Sequence, residues 1–259
     1  MKMAGFSLVE LSIVLVILGL LTGGILGGQN LMHAAELRSI GKEYEQYTIA
    51  VNTFQDKYFA LPGDMNNAHL FWGPAGGTTG ADAACYGSAT GTGTETCNGD
   101  GDGIVGMYNA AEYSENFMFW QHLANAQLIE GQFTGIAGAT NNDNAVLGEN
   151  VPRSKLGNAG WTVRGVLLVA DTENFDANYQ NALVFGEDDG ANDMLAAVLT
   201  PEDAWNIDTK SDDGQPGRGK IIARFWDTCT DATGNTDNDA NYLLSDGSEQ
   251  CALIYRDAF

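Results

Sequence analysis

The chain has 259 residues and a formal net charge of −22, from 34 acids against 12 bases. Such a surface repels nucleic-acid phosphates and anionic headgroups, so no nucleic-acid partner is expected, and the length allows one large domain or two small ones. Hydrophobic residues at 44% suffice for a sizeable core, whereas 33 glycines among many Asn, Asp and Thr favour a loop-rich body with β-structure over a helical bundle.

The N-terminus reads MKMAGFSLVELSIVLVILGLLTGGILGG, and between positions 6 and 26 its only charged residue is Glu10. A helix of that length rises about 31 Å, enough to cross a hydrocarbon core. Lys2 supplies a positive cytoplasmic flank. A cleavable secretory signal has a shorter apolar core followed by a small-x-small site. Here the plausible cut, Gly5-Phe6, precedes the apolar run and leaves the helix on the mature protein. A carboxylate in a spanning helix costs ~2.5–3.5 kcal/mol near the centre and less toward an end. One reading makes Glu10 an acid at the membrane edge, favoured by the helix dipole. The sharper reading gives it a partner. Cutting after Gly5 frees a positive amine on Phe6, on the same helical face as Glu10, and a neighbouring helix shifted along its axis can supply the same group.

The stretch G-F-S-L-V-E followed directly by such a helix resembles the type IV pilin and pseudopilin family. The resemblance implies cleavage after Gly5 by a prepilin peptidase, N-methylation of Phe6, and neutralisation of the Phe6 amine of an adjacent subunit by Glu10 during assembly. It implies an α+β, pilin-like fold: a long N-terminal helix, half membrane-spanning and half amphipathic, packed on an antiparallel β-sheet with loop-rich insertions. The corresponding division is a leader over 1–5, an apolar helix over 6–28, the amphipathic half over 29–60 and a head over 61–259. Family members often carry a proline in this helix. Here Gly19, Gly23, Gly24, Gly27 and Gly28 stand instead, each costing ~1 kcal/mol in a helix, so the stretch is expected to bend or unwind on assembly. The stretches A-L-P-G-D-M-N-N-A, F-W-Q-H-L-A-N-A-Q-L-I-E-G and I-D-T-K-S-D-D-G-Q-P-G-R-G-K also look like those of large bacterial pilin-like proteins.

Beyond position 29, Leu37, Ile40, Tyr44, Tyr47, Val51, Phe54 and Tyr58 alternate spacings of three and four, which makes a helical stripe for packing on a sheet. Arg38, Lys42, Glu43, Glu45, Gln46, Gln55 and Asp56 fall on the opposite face. Pro62 ends the helix near 58–61. A Gly/Thr/Ala-rich insertion covers 73–99. A second helix is predicted over 114–129, with Phe117, Trp120, Ala124 and Leu128 on one face. Strands are predicted over 161–170, 182–185, 220–226 and 252–255. Thr200 caps a short helix that opens on Pro201 and runs to about 208.

The four cysteines form two local pairs, and none lies in a C-x-x-C. Nearest-neighbour disulfides Cys85–Cys97 and Cys229–Cys251 are expected, and with them an oxidising, extracytoplasmic setting. N-G-D-G-D-G-I at 98–104 places Asn98, Asp100 and Asp102 at alternate positions before a glycine, as in an EF-hand-type loop, with the Ile104 carbonyl as a further ligand. Asn109 stands where a bidentate Glu is usual, so Glu112 or Glu115 is expected to complete a calcium shell. The competing reading is a plain Asx/Gly turn. Asp208, Asp212 and Asp213 read as a helix exit and tight turn, and Asp237 to Asp239 as a solvated face. The histidines His33, His69 and His122 lie in separate contexts, and no hydrolase, zinc-protease or phosphate-loop motif occurs, so no enzyme is expected. The expected function is a structural subunit of a type IV pilus or type II secretion-like filament. It would rest in the inner membrane with a periplasmic head, then join a periplasmic or extracellular filament through the assembly machinery. The alternative is a minor, tip-located pilin acting as a calcium-dependent binding or adhesion module.

Overall fold

The computed structural model describes residues 7–75, 93–106, 115–139, 144–165, 173–188 and 194–259. The first helix, α1 (Leu8–Tyr58), has 51 residues and a length of about 76 Å. It runs unbroken through the five glycines, and a Cβ added at any of them meets nothing within 4 Å. Among the described residues these glycines therefore pack against nothing. The helix stops at Phe59, in the left-handed region at φ 55, whose N–H donates to the Gln55 carbonyl at 2.8 Å.

The aromatic stripe does what its period predicts. Ile40, Tyr47, Val51 and Phe54 are buried in the main core, and Leu37, Tyr44 and Tyr58 pack against it. Tyr44 stacks on Tyr255 at 4.4 Å between centroids, while Tyr47 stands edge-on to Trp120 and Trp161. Glu43 departs from its assignment to the polar face. Its carboxylate accepts the Trp161 indole N–H at 2.8 Å and the Lys155 N–H at 3.2 Å. A buried indole needs an acceptor, and α1 supplies it.

Among the described residues the further elements are α2 (His69–Trp72), α3 (Glu115–Asn125), β1 (Ala159–Arg164), β2 (Ala182–Asp188), β3 (Met194–Ala196), α4 (Pro201–Ser211), β4 (Ile221–Arg224), α5 (Trp226–Cys229) and β5 (Ala252–Tyr255). The strands form one antiparallel sheet in the order β1-β2-β5-β4, with β3 added to the end of β2 beyond a register shift at Glu187/Asp188. Register places Trp161, Phe185, Leu253 and Ala223 in one row and Thr162, Val184, Ile254 and Ile222 in the next. The first row faces the core shared with α1 and α3. In the second, Val184, Ile222 and Ile254 pack with Phe175 and Tyr179 on the opposite face. The α+β class, the long helix and the antiparallel sheet are thus present.

Several boundaries differ from expectation for local reasons. Helix α3 ends at Asn125 rather than 129. Gln127 turns left-handed at φ 61, and the Leu128 N–H reaches back to the Leu123 carbonyl, a Schellman closure made without glycine. Strand β4 stops at Arg224 because Phe225 is left-handed. Strand β1 begins earlier than 161 and ends at Arg164, and 166–170 lie outside the described residues. Helix α4 is capped by Thr200 as predicted but continues to Ser211. Cys229 and Cys251 are joined, with their Cα atoms 5.1 Å apart. Cys97 is also disulfide-bonded, and its expected partner Cys85 lies outside the described residues.

Candidate functional site

Two regions gather the residues that the sequence nominates: the start of α1 and the acidic turn beyond its end. Ser7 is the N-cap of α1. Its hydroxyl accepts the Glu10 N–H at 3.2 Å, and the Glu10 carboxylate accepts the Ser7 N–H at 2.8 Å. This reciprocal capping box satisfies two of the donors a helix start leaves open. Glu10 therefore has a local partner within one chain, for which the S-x-x-E spacing of Ser7 and Glu10 is the signal. Gly5 and Phe6 lie outside the described residues. The apolar run that follows is exposed on every side, from Leu8 at 85% through Leu26 at 62% to Met32 at 64%. It is the one described helix long and apolar enough to cross a membrane.

At the far end of α1 the chain turns through Pro62, Gly63 and Asp64. Gly63 has φ +85, and a Cβ there would lie 2.5 Å from the Glu115 carbonyl, so the turn requires glycine. Asp64 is buried, and its two carboxylate oxygens accept the Gly101 N–H at 2.7 Å and the Gly103 N–H at 3.1 Å. Asp100 and Asp102 form successive Asx turns, accepting the N–H groups of Asp102 and Ile104. Ligand oxygens of Asp64, Asp100 and Asp102 all lie within 4.8 Å of one another.

The expected ligand set is only partly assembled. Asp100 and Asp102 converge, and Asp64, which spacing alone did not nominate, joins them. Asn98 turns away: its side-chain oxygen accepts the His69 N–H at 3.1 Å and lies 3.0 Å from His69 Nδ1. Glu115 is buried, and its two oxygens accept the N–H groups of Asp100 at 3.0 Å and Gly106 at 2.7 Å. It braces the loop from behind rather than standing in the cluster. Ile104 is exposed at the loop's end, and Glu112 lies outside the described residues. Burial pushes the Asp64 carboxyl up to about 6 and the Glu115 carboxyl up to about 8, with the neighbouring acids adding to both shifts.

The loop is held from below by His122. Its Nδ1 accepts the Gly63 N–H at 2.9 Å, which leaves the proton on Nε2 to donate to the Thr96 hydroxyl at 2.9 Å; that hydroxyl in turn donates to Gln121 Oε1 at 2.6 Å. Full burial drives this imidazole down to about 3, so it is neutral and structural. Asp208, Asp212 and Asp213 perform the turn duty expected of them. Asp208 accepts from Gly214 N–H and Tyr242 O–H, Asp212 from the N–H groups of Lys220 and Ile221, and Asp213 from Gln215 N–H. Their oxygens also approach within 4.8 Å.

Comparison of the chain with known protein families, curated proteins and solved structures returns no match.

Proposed function

We propose that the chain is a structural subunit, a pilin or pseudopilin, of a type IV pilus or type II secretion-like filament. One observation carries this reading. A single helix is bare and apolar over its first half and forms part of the head's core over its second. Such a helix needs a second environment for its exposed half. Lipid provides one before assembly, and packed copies of the same helix provide another afterwards. The five glycines, idle within one chain, suit close approach between helices. Processing by a prepilin peptidase would leave Phe6 as the first residue. Intact-mass analysis of the membrane protein and of sheared filaments tests this: a methylated N-terminus at Phe6 in both fractions is expected. An N-terminus beyond Gly28 removes the assembly helix and overturns the proposal.

A second reading concerns the acidic turn. The arrival of Asp64 beside Asp100 and Asp102 gives three carboxylates, hard donors of the kind calcium takes. For a weak extracellular site with Kd of about 10⁻⁴ M, 1 mM calcium would stabilise the head by about 1.4 kcal/mol. The pH dependence has a definite sign. Asp64 and Glu115 hold protons more tightly folded than unfolded, so in chelator this contribution is full at low pH and is lost as pH rises through about 6 to about 8. Calcium offsets that loss, so the shift in unfolding midpoint should be larger at pH 8 than at pH 5. Thermal unfolding of the full chain in detergent measures it, and a midpoint at pH 8 indifferent to 1 mM calcium reduces the loop to a turn.

A further inference from the structure

In a chain with 34 acids, three of the 12 basic side chains line one groove between α1 and α4. Arg38 and Lys42 stand one turn apart on α1, and Lys210 stands opposite on the last turn of α4. All three are exposed, and among the described residues none has an ion-pair or hydrogen-bond partner. Arg218 and Arg224, by contrast, pair with Asp239 and Glu173. Leu37 and Ile207 give the groove an apolar floor, and its volume is about 320 Å³.

The complementary surface lies at the other end of the same head. Asp100 and Asp102 are exposed there, and their chain neighbours Gly101 and Gly103 line one hollow with Phe59, 91% exposed, and the partly buried Leu61. The groove packs on α1 around Gly41 and the acidic end around Phe59, which separates them by about 27 Å along the helix axis. One end is cationic with an apolar floor. The other is anionic with an exposed aromatic ring.

We infer that the Arg38–Lys42–Lys210 groove of one copy receives the Asp100–Asp102 end of a second copy of this chain. The inference rests on the filament reading and names the head contact that reading requires. Different surfaces meeting head to tail make a heterologous interface, which does not close as an isologous dimer and builds an open helical filament where its rotation does not close a ring. It also answers a physical difficulty. Copies carrying −22 each repel one another, and a cationic groove set against the next copy's acids provides local attraction where the heads touch. Glu45, which also lines the groove, stays solvated at its edge and does not cancel three cations. A calcium ion on the three-carboxylate cluster would still leave one negative charge for the groove, so the contact persists with less attraction.

Charge exchange in the full chain tests the contact. Lys42→Glu with Lys210→Glu, and separately Asp100→Lys with Asp102→Lys, should each lower the yield of sheared filaments about tenfold or more, because like charges then face each other. The fourfold variant carrying both exchanges should restore most of that yield. Loss of calcium from the Asp100/Asp102 variant would not be repaired by changes at Lys42 and Lys210, so restoration is specific to pairing. Membrane level and mass of each variant confirm that it folds and is processed. Wild-type yield in either double variant, or a fourfold variant no better than the doubles, overturns the contact while leaving the filament reading intact. Absence of filaments from the wild type overturns the filament reading and the contact together.

Discussion

Glu10→Gln is expected to leave the protein in the membrane at its normal level and to cut filament yield as severely as Glu10→Ala. The capping box makes this pair of substitutions informative. Gln at the third helical position closes the same box with the Ser7 backbone, so Glu10→Gln preserves the local hydrogen bonding at Ser7 and removes only the charge. If Glu10 were simply a good helix start, Gln would assemble like the wild type and Ala would lose only the ~1 kcal/mol typical of a cap. If Glu10 neutralises the Phe6 amine of the next subunit, both variants leave that amine unpaired among apolar helices. Removing one partner of a buried charge pair costs ~3–5 kcal/mol, and the cost recurs at every added subunit. Membrane retention is unaffected in either case, because the apolar run from Leu11 to Met32 is untouched. The measurement is the ratio of sheared to membrane-bound protein for the three forms. Assembly of Glu10→Gln at wild-type levels would defeat the pairing argument and leave the cap as the whole explanation.

The same contrast between local and distant causes runs through the rest of the molecule. The α1 stripe was legible because its spacing is a property of one helix, and β5 fell at its expected residues because A-L-I-Y is a short apolar run with clear ends. Glu43 leaves the polar face because its environment is created by Trp161, more than a hundred residues away. The early end of α3 depends on Gln127 adopting a left-handed conformation, which its residue type does not announce as glycine would. In the acidic turn, alternation found Asp100 and Asp102, which are neighbours in sequence. Asp64 reaches them only because the chain folds back past Gly99, whose N–H donates to the Met65 carbonyl. A signal for it did exist: an acid directly after Pro-Gly at the end of a long helix, where a buried turn places it beside the following loop. Asn98 kept the right spacing and was still captured by His69, because two donors at the start of α2 compete for its oxygen.

Removing the Cys229–Cys251 bond is expected to destabilise the head by about 3 kcal/mol, the chain-entropy value for a closed loop of this size. The loop it closes is poor in structure of its own. Between the two cysteines the backbone makes one isolated bridge, Thr230 to Tyr242, and buries little beyond Thr230, Ala240 and Tyr242. Yet the loop is tied to the core at both ends. The Leu243 N–H donates to the Cys229 carbonyl at 3.0 Å, the Cys251 carbonyl accepts from Val198 and Leu199, and the Tyr242 hydroxyl reaches buried Asp208 at 2.8 Å. The crosslink therefore limits how far the unfolded chain can spread around β5, a central strand of the sheet. The double variant Cys229→Ala, Cys251→Ala removes the bond without burying a hydroxyl where both sulfurs are fully enclosed. Denaturant unfolding of the full chain in detergent should show a lower midpoint for the variant, and reduction of the wild type should move it the same way. Peptide mapping without reduction should recover the joined 229 and 251 peptides from protein made in its native compartment. Free thiols there would contradict the extracytoplasmic assignment, and an unchanged midpoint in the double variant would show that Asp208, Tyr242 and the strand ladder hold this end of the head without the crosslink.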